Sequence, residues 1–194
     1  MPKVQDMAPG ESAKVPEEIK VRGGRYHLRT TLQQVRINKD SPYTVDVVDG
    51  KVKLCIDGVD LGDVEYPKPP ASYGLRLSDG SSCAEIAPVL GWGYLVFVTC
   101  LRNCQYWGDQ EECRFCDINA NVRQQQQAGR EYPIYKKVEQ VAAAMEKVFV
   151  THRSPPELAP QVFLLSGGTV TKNVQGKDDT EFYLEYVRAI RERI

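Results

Sequence analysis

Two short apolar runs, each followed by a loop and an amphipathic helix, constrain the fold of this chain most strongly. The runs span residues 93–99 and 161–165. Because they are apolar throughout instead of alternating with polar residues, they predict strands that are covered on both faces. Apolar residues at three- and four-residue spacing predict helices over residues 135–149 and from Asp179 onward. This order of strands and helices predicts an α/β fold with parallel strands.

The residues before the first apolar run predict a small β-rich region. Residues 44–48 and 51–56 flank an Asp49-Gly50 pair, which favours a type I′ hairpin turn because both central residues adopt positive φ. The Tyr-Pro-Lys-Pro-Pro segment at residues 66–70 interrupts regular structure. We expect three regions in the chain: a loose arm over residues 1–24, a β-rich accessory region over 25–90 and an α/β region over 91–194.

The bulk composition argues against several classes of protein. With 25 Lys and Arg against 26 Asp and Glu, the formal net charge is -1, so no basic surface for nucleic acid is indicated. No apolar run approaches the roughly 18 to 20 residues that a membrane helix requires, and the N-terminus lacks the apolar core of a signal peptide. We therefore expect a cytoplasmic protein without a membrane partner. In that reducing compartment, the six cysteines are interpreted as free thiols or metal ligands instead of disulfides.

Two motifs follow the two apolar runs directly. The second run is closed by Ser166-Gly167-Gly168, whereas the first leads into four cysteines, namely Cys100, Cys104, Cys113 and Cys116. Ligands bind at the carboxyl ends of the strands in parallel sheets, so both motifs are predicted to lie at one ligand-binding edge. Thiolates are soft ligands that suit zinc or an iron–sulfur cluster. A structural zinc site would use all four cysteines in a closed tetrahedron, whereas three cysteines could hold a cluster with one open iron.

The cysteine segment resembles the cluster loop of the radical SAM enzymes. Three cysteines, with eight residues in the first gap and two in the second, follow a buried strand: Cys104, Cys113 and Cys116. The commonest first gap in that family is three residues, although some members have a long one. An aromatic residue commonly precedes the last cysteine, and Phe115 stands there. A Gly-Gly-Glu turn ends the second strand of the family, and Gly167-Gly168 matches it, with Thr169 in place of Glu.

The resemblance implies a fold, two cofactors and an enzymatic activity. The fold would be the start of a partial (βα)6 radical SAM-type barrel, with two βα units present and the core truncated. Cys104, Cys113 and Cys116 would hold a [4Fe–4S] cluster, with Cys100 as either the alternative first ligand or a buried neighbour at the strand end. The cluster would cleave S-adenosylmethionine to give a 5′-deoxyadenosyl radical, using electrons from a donor such as flavodoxin or ferredoxin. Contacts to S-adenosylmethionine would come from Phe115, Ser166, Gly167, Gly168 and Thr169.

Other interpretations of the cysteines stay open. A zinc-stabilised binding module would use the four cysteines as one structural site, so that Cys100 would be indispensable. A redox-sensing thiol protein would use Cys113 and Cys116, whose spacing is that of a dithiol pair. Neither the substrate nor the reaction of a radical SAM enzyme can be read from these residues.

Overall fold

The structure is a computed structural model that describes residues 18–35, 38, 40–107, 111, 113, 115–151 and 159–194. The chain divides into two compact units between Lys68 and Pro69. This boundary lies inside the proline-rich segment, where proline rings fix φ and supply no backbone N–H for a sheet. Residues 69–90, which the sequence placed with the β-rich region, therefore belong to the second unit.

The first unit is a five-stranded antiparallel sheet in the order β2-β1-β5-β4-β3. Its strands are β1 Glu18–Gly23, β2 Leu28–Gln34, β3 Tyr43–Val48, β4 Lys51–Ile56 and β5 Val59–Glu65. The predicted hairpin is confirmed: β3 pairs with β4, and Asp49 and Gly50 have φ of 51° and 74°. β1 lies where the sequence predicted a loose arm, because Ile19 and Val21 alternate with polar residues and are buried. Residues 1–17 of that arm lie outside the described residues.

Among its described residues, the second unit combines a small sheet with four α-helices. The sheet has the order β6-β7-β8, with β6 antiparallel and β8 parallel to β7. The elements of the second unit are, in chain order, a 3₁₀ turn Ala71–Gly74, α1 Cys83–Ile86, β6 Val89–Leu90, β7 Leu95–Leu101, α2 Ile118–Gln127, α3 Val138–Glu146, a π-helical turn Lys147–Thr151, β8 Val162–Gly167 and α4 Asp179–Arg191. Helix α4 begins at a capping box, in which Asp178 accepts a hydrogen bond from the Glu181 N–H at 2.8 Å.

The core of the second unit lies on one face of this sheet. Val96 and Val98 of β7 are fully buried, and they belong to one apolar cluster with residues of α3 and α4, including Val141, Ala142, Ala144, Met145, Phe182, Tyr186 and Ile190. The alternate residues of the strands are less covered, since Val162 and Leu164 are exposed. The prediction that both faces would be covered is therefore wrong for β8.

The predicted start of a partial (βα)6 barrel is also wrong. The described residues form one antiparallel five-stranded sheet and one mixed three-stranded sheet, and they close no barrel. Within the second unit, only β7 and β8 are parallel, and the other edge of β7 is occupied by the antiparallel strand β6. Closing a barrel requires several staggered strands that tilt around an axis. Among the described helices, none has both the length and the apolar character needed to cross a membrane.

Candidate functional site

The cysteine loop and the Gly-Gly turn begin side by side at the carboxyl ends of β7 and β8. The register of these parallel strands pairs Thr99 with Ser166 and Leu101 with Gly167. The Gly168 N–H donates a hydrogen bond to the Leu101 carbonyl at 3.0 Å. Residues that are about 65 positions apart in the sequence are therefore neighbours at one edge of the sheet.

Backbone hydrogen bonds join the turn to the first cysteine of the loop. The Thr169 N–H donates to Sγ of Cys104 at 3.3 Å. In the opposite direction, the Gln105 N–H donates to the Thr169 carbonyl at 2.9 Å. The Gln105 side chain then accepts from the N–H groups of Thr171 and Lys172, each at 3.0 Å. The turn thus holds the Cys104 thiol in a defined place and directs a backbone dipole at its sulfur.

The two glycines of the turn are required by this close approach. A Cβ at Gly168 would overlap the carbonyl oxygen of Asn103 and the Cα of Cys104. A Cβ at Gly167 would lie 2.5 Å from the Leu101 carbonyl oxygen. Real Cβ atoms essentially never come closer than 3.0 Å to such atoms. The glycine pair is therefore explained by contact between the two loops, with no ligand needed.

Asn119 of α2 holds Cys104 from the other side. Its Oδ1 accepts from the Cys104 N–H at 2.7 Å, and its Nδ2 donates to the Cys104 carbonyl at 3.0 Å. The side-chain amide thus pairs with both backbone polar groups of one residue, as a neighbouring strand would. Sequence reasoning missed Asn119, because an asparagine in the first turn of a helix resembles any surface polar residue.

We expect Asn119→Ala to loosen the cysteine loop. The substitution leaves two partly buried backbone groups of Cys104 unpaired, which costs about 1–2 kcal/mol of folding free energy. Urea unfolding measures this loss, and peptide mapping after pulsed alkylation should show faster modification of Cys104. Gln127→Ala, at an exposed position of the same helix, is the control. Equal alkylation rates in the two variants would contradict the role of Asn119.

The four clustered cysteines differ sharply in environment. All are free thiols; Cys104 and Cys116 are half-buried and Cys113 is exposed. Cys100, by contrast, has 0% exposure, and burial raises the pKa of its thiol to about 12. Because burial in an apolar core opposes formation of the thiolate that binds metal, Cys100 is set apart from the other three. This is unfavourable for the four-cysteine zinc site.

The three remaining thiols suit a soft metal centre by their chemistry, but they are not convergent. In the part of the chain that the structure describes, no group of three His, Cys, Asp or Glu side chains could hold a metal ion. Residues 108–110, 112 and 114 lie outside the described residues. Metal binding is coupled to folding, so the free energy of binding can supply the cost of ordering the ligands around the metal. The donor set and the N–H···S bond to Cys104 fit a cluster, so its assembly would require Cys113 and Cys116 to approach Cys104.

The residues predicted to contact S-adenosylmethionine do not all lie together. Gly168 and Thr169 contact Cys104, whereas Ser166 and Gly167 pair with Thr99 and Leu101 of β7. Phe115 is 92% exposed and packs against no core. The structure therefore brings the turn and the first cysteine together and leaves Phe115 in solvent.

No protein-family model, curated protein or solved structure matches the chain. The resemblance to radical SAM enzymes consequently depends on the cysteine spacing, Phe115 and the Gly-Gly turn alone.

Proposed function

We propose that the chain is part of a radical SAM enzyme in which Cys104, Cys113 and Cys116 bind a [4Fe–4S] cluster. The observation that supports this is the hydrogen bond from the Thr169 N–H to the Cys104 sulfur. It joins the two motifs whose sequence order suggested the family. The proposal concerns this site and does not include a barrel.

The cluster, when bound, would supply the electron that cleaves S-adenosylmethionine to methionine and a 5′-deoxyadenosyl radical. The protein would position and tune it. The Thr169 N–H stabilises negative charge on the Cys104 sulfur and would raise the reduction potential of a cluster bound there. Asn119 fixes the backbone of Cys104, so this ligand would be preorganised while Cys113 and Cys116 close onto the cluster. Phe115 would shield the cluster or pack against the adenine once the loop has closed.

Two further components belong to this proposal. An electron donor such as flavodoxin or ferredoxin would reduce the cluster, and no nucleic acid or membrane partner is required. A cytoplasmic location would keep the six cysteines as free thiols. The substrate could be a small molecule or a macromolecule.

Anaerobic purification followed by iron, sulfide and zinc analysis tests the proposal. We expect about four iron and four sulfide per chain, with a broad visible absorption band. Cys104→Ala, Cys113→Ala and Cys116→Ala should each lose this band, whereas Cys100→Ala and Cys55→Ala, whose cysteine belongs to the first unit, should retain it. Formation of 5′-deoxyadenosine from S-adenosylmethionine, with a chemical reductant, is then expected of a longer protein that completes the core, because this part of the enzyme can be inactive alone.

A zinc-stabilised binding module predicts the opposite pattern. One tightly held zinc per chain, no sulfide and a strict requirement for Cys100 would replace the cluster proposal with that alternative. Cluster assembly without any cleavage of S-adenosylmethionine would leave an iron–sulfur protein and remove the radical chemistry.

A further inference from the structure

A cavity of about 290 Å³ lies in the second unit, beside the end of β7. It is lined by side chains from α1, β7, α2 and the segment that precedes α3. Seven of them bear charges or polar groups: Glu85, Thr99, Arg102, Asp117, Asn121, Tyr132 and Lys136. Its volume is near the lower end for small-molecule sites, which are about 300–1,000 Å³. The cavity involves none of the cysteines proposed as ligands.

Lys136 is an almost completely buried cation in this cavity. It is 4% exposed, and its Nζ donates a hydrogen bond to the Ile86 carbonyl at 2.6 Å. Its backbone is fixed on both sides: the N–H donates to the Cys100 carbonyl at 2.9 Å, and the carbonyl accepts from the Tyr186 hydroxyl at 2.5 Å. Within the described residues, no carboxylate forms an ion pair with it. Burial of an ammonium without a counter-charge is unfavourable.

Arg102 presents a second cation to the same cavity. Its guanidinium carbon lies 4.0 Å from the centroid of the Tyr132 ring, so the planar group is held by stacking. Nη1 donates to the Pro133 carbonyl at 3.4 Å. In the described part of the chain, Arg102 also lacks an ion pair. A stacked guanidinium retains further N–H groups in the geometry that binds a carboxylate with two hydrogen bonds.

Arg102 lies close enough to Lys136 to disfavour its charged form, and neither cation forms an ion pair within the described residues. Burial, followed by the charge of Arg102, lowers the pKa of Lys136 to about 7. Burial also lowers the pKa of Arg102. Glu85 is exposed and raises the pKa of both groups only as a minor cause. A carboxylate bound between Arg102 and Lys136 would supply the direct ion pair that Glu85 does not form with either group.

We propose that this cavity binds a small hydroxycarboxylic acid, whose carboxylate accepts hydrogen bonds from Arg102 and Lys136. Glu85 and Asp117 also line the cavity, and their charges oppose a dianion such as phosphate. Carboxylate side chains accept hydrogen bonds, so they suit a ligand hydroxyl group, as do Thr99 and Asn121. The inference goes beyond the proposed function and does not require a cluster.

Calorimetric titration of the full chain with glycolate, the smallest hydroxycarboxylate, tests this inference. We expect saturable binding, and Lys136→Met and Arg102→Met should each weaken it at least about tenfold, the cost of one charged hydrogen bond. Lys172→Met, which removes an exposed lysine of the same unit, should bind glycolate like the natural chain. Inorganic phosphate and sodium chloride at equal ionic strength should give no saturable binding.

The following results would contradict the inference that the cavity binds a hydroxycarboxylic acid. Absence of saturable glycolate binding by the natural chain would overturn the inference, as would equal affinities in the Lys136→Met and Lys172→Met variants. Tighter binding of phosphate than of glycolate would overturn the assignment of the ligand class. Circular dichroism of each variant establishes that it is folded, and Arg102→Lys, which keeps the charge but loses the planar fork, should still bind more weakly than the natural chain.

Discussion

Replacing Gly168 with alanine is expected to destabilise the second unit by about 3 kcal/mol, at the upper end of the cost of overpacking. The added Cβ would overlap backbone atoms of Asn103 and Cys104. Backbone cannot rotate away as a long side chain does, so the carboxyl ends of β7 and β8 would have to separate. The hydrogen bond from the Thr169 N–H to the Cys104 sulfur would be lost with that separation. Urea unfolding of the full chain, followed by circular dichroism, measures the loss.

Gly74→Ala is the matched control for this substitution. Gly74 has no positive φ, and nothing lies within 4 Å of the position that its Cβ would take. Its replacement should change the free energy of unfolding by no more than about 0.5 kcal/mol. Similar unfolding midpoints for the two variants would show that the loops can separate at little cost, and would refute the packing role of Gly168.

Iron content of the same variants connects this stability argument with the proposed function. If Gly168→Ala remains folded at low temperature, we expect it to bind less iron than Gly74→Ala, because Cys104 is no longer held by the turn. Equal iron content in two folded variants would mean that the turn does not contribute to the cysteine site.

The features that the sequence predicted correctly follow either from neighbouring residues or from the pairing of two recognisable parallel strands. Asp49-Gly50 can specify a hairpin because two residues with positive φ determine how the chain reverses. The adjacency of Cys104 and Gly168 was also accessible, because parallel strands bring their carboxyl ends together. The barrel was not, because the number of strands in a sheet is a non-local property. The two-residue strand Val89–Leu90, which takes the second edge of β7, is too short to give any periodic signal.

The site residues that were missed have side chains whose surroundings are decided by tertiary packing. Lys136 is followed by Lys137 and preceded by Tyr135, and this pattern is typical of a solvated helix start. Only the fold shows that Lys136 is buried while Lys137 is exposed. Spacing favoured Cys104 over Cys100 as the first ligand, because the common spacing counted from Cys100 places Trp107 at the third position, but it left open whether Cys100 is a ligand or a buried neighbour. Cys100 lies on the buried face of β7 because it shares the alternation of Val96 and Val98.

Lys136→Met is expected to stabilise the protein near neutral pH, and the gain should decrease as the pH rises. The pKa of Lys136 is lowered from 10.5 to about 7 in the folded chain. Between these values the unfolded chain binds the additional proton, so the natural chain becomes more stable with increasing pH. The penalty is complete below about pH 7 and disappears near pH 10.5. Methionine has no such penalty at any pH.

The size of this effect follows from the pKa shift and from one lost hydrogen bond. Each unit of the pKa shift of Lys136 corresponds to about 1.36 kcal/mol. Partial hydration of the ammonium reduces the total penalty for burying it to about 3 kcal/mol. The Ile86 carbonyl loses its donor, which costs about 1 kcal/mol. We therefore expect a net gain of about 2 kcal/mol at pH 7 that falls below zero towards pH 10.5.

Urea unfolding of the natural chain and of Lys136→Met across this pH range measures the gain, and Lys172→Met should differ from the natural chain by a pH-independent amount. A constant difference for Lys136→Met would mean that burial does not disfavour the charged amine in the folded state.

Adding glycolate at pH 7 distinguishes the destabilising effect of the buried ammonium of Lys136 from its role in binding the ligand. It should stabilise the natural chain, because a ligand that binds only the folded state shifts the equilibrium towards it. At the same concentration it should stabilise Lys136→Met much less, since that variant keeps the fold but loses one of the two cations that bind the carboxylate.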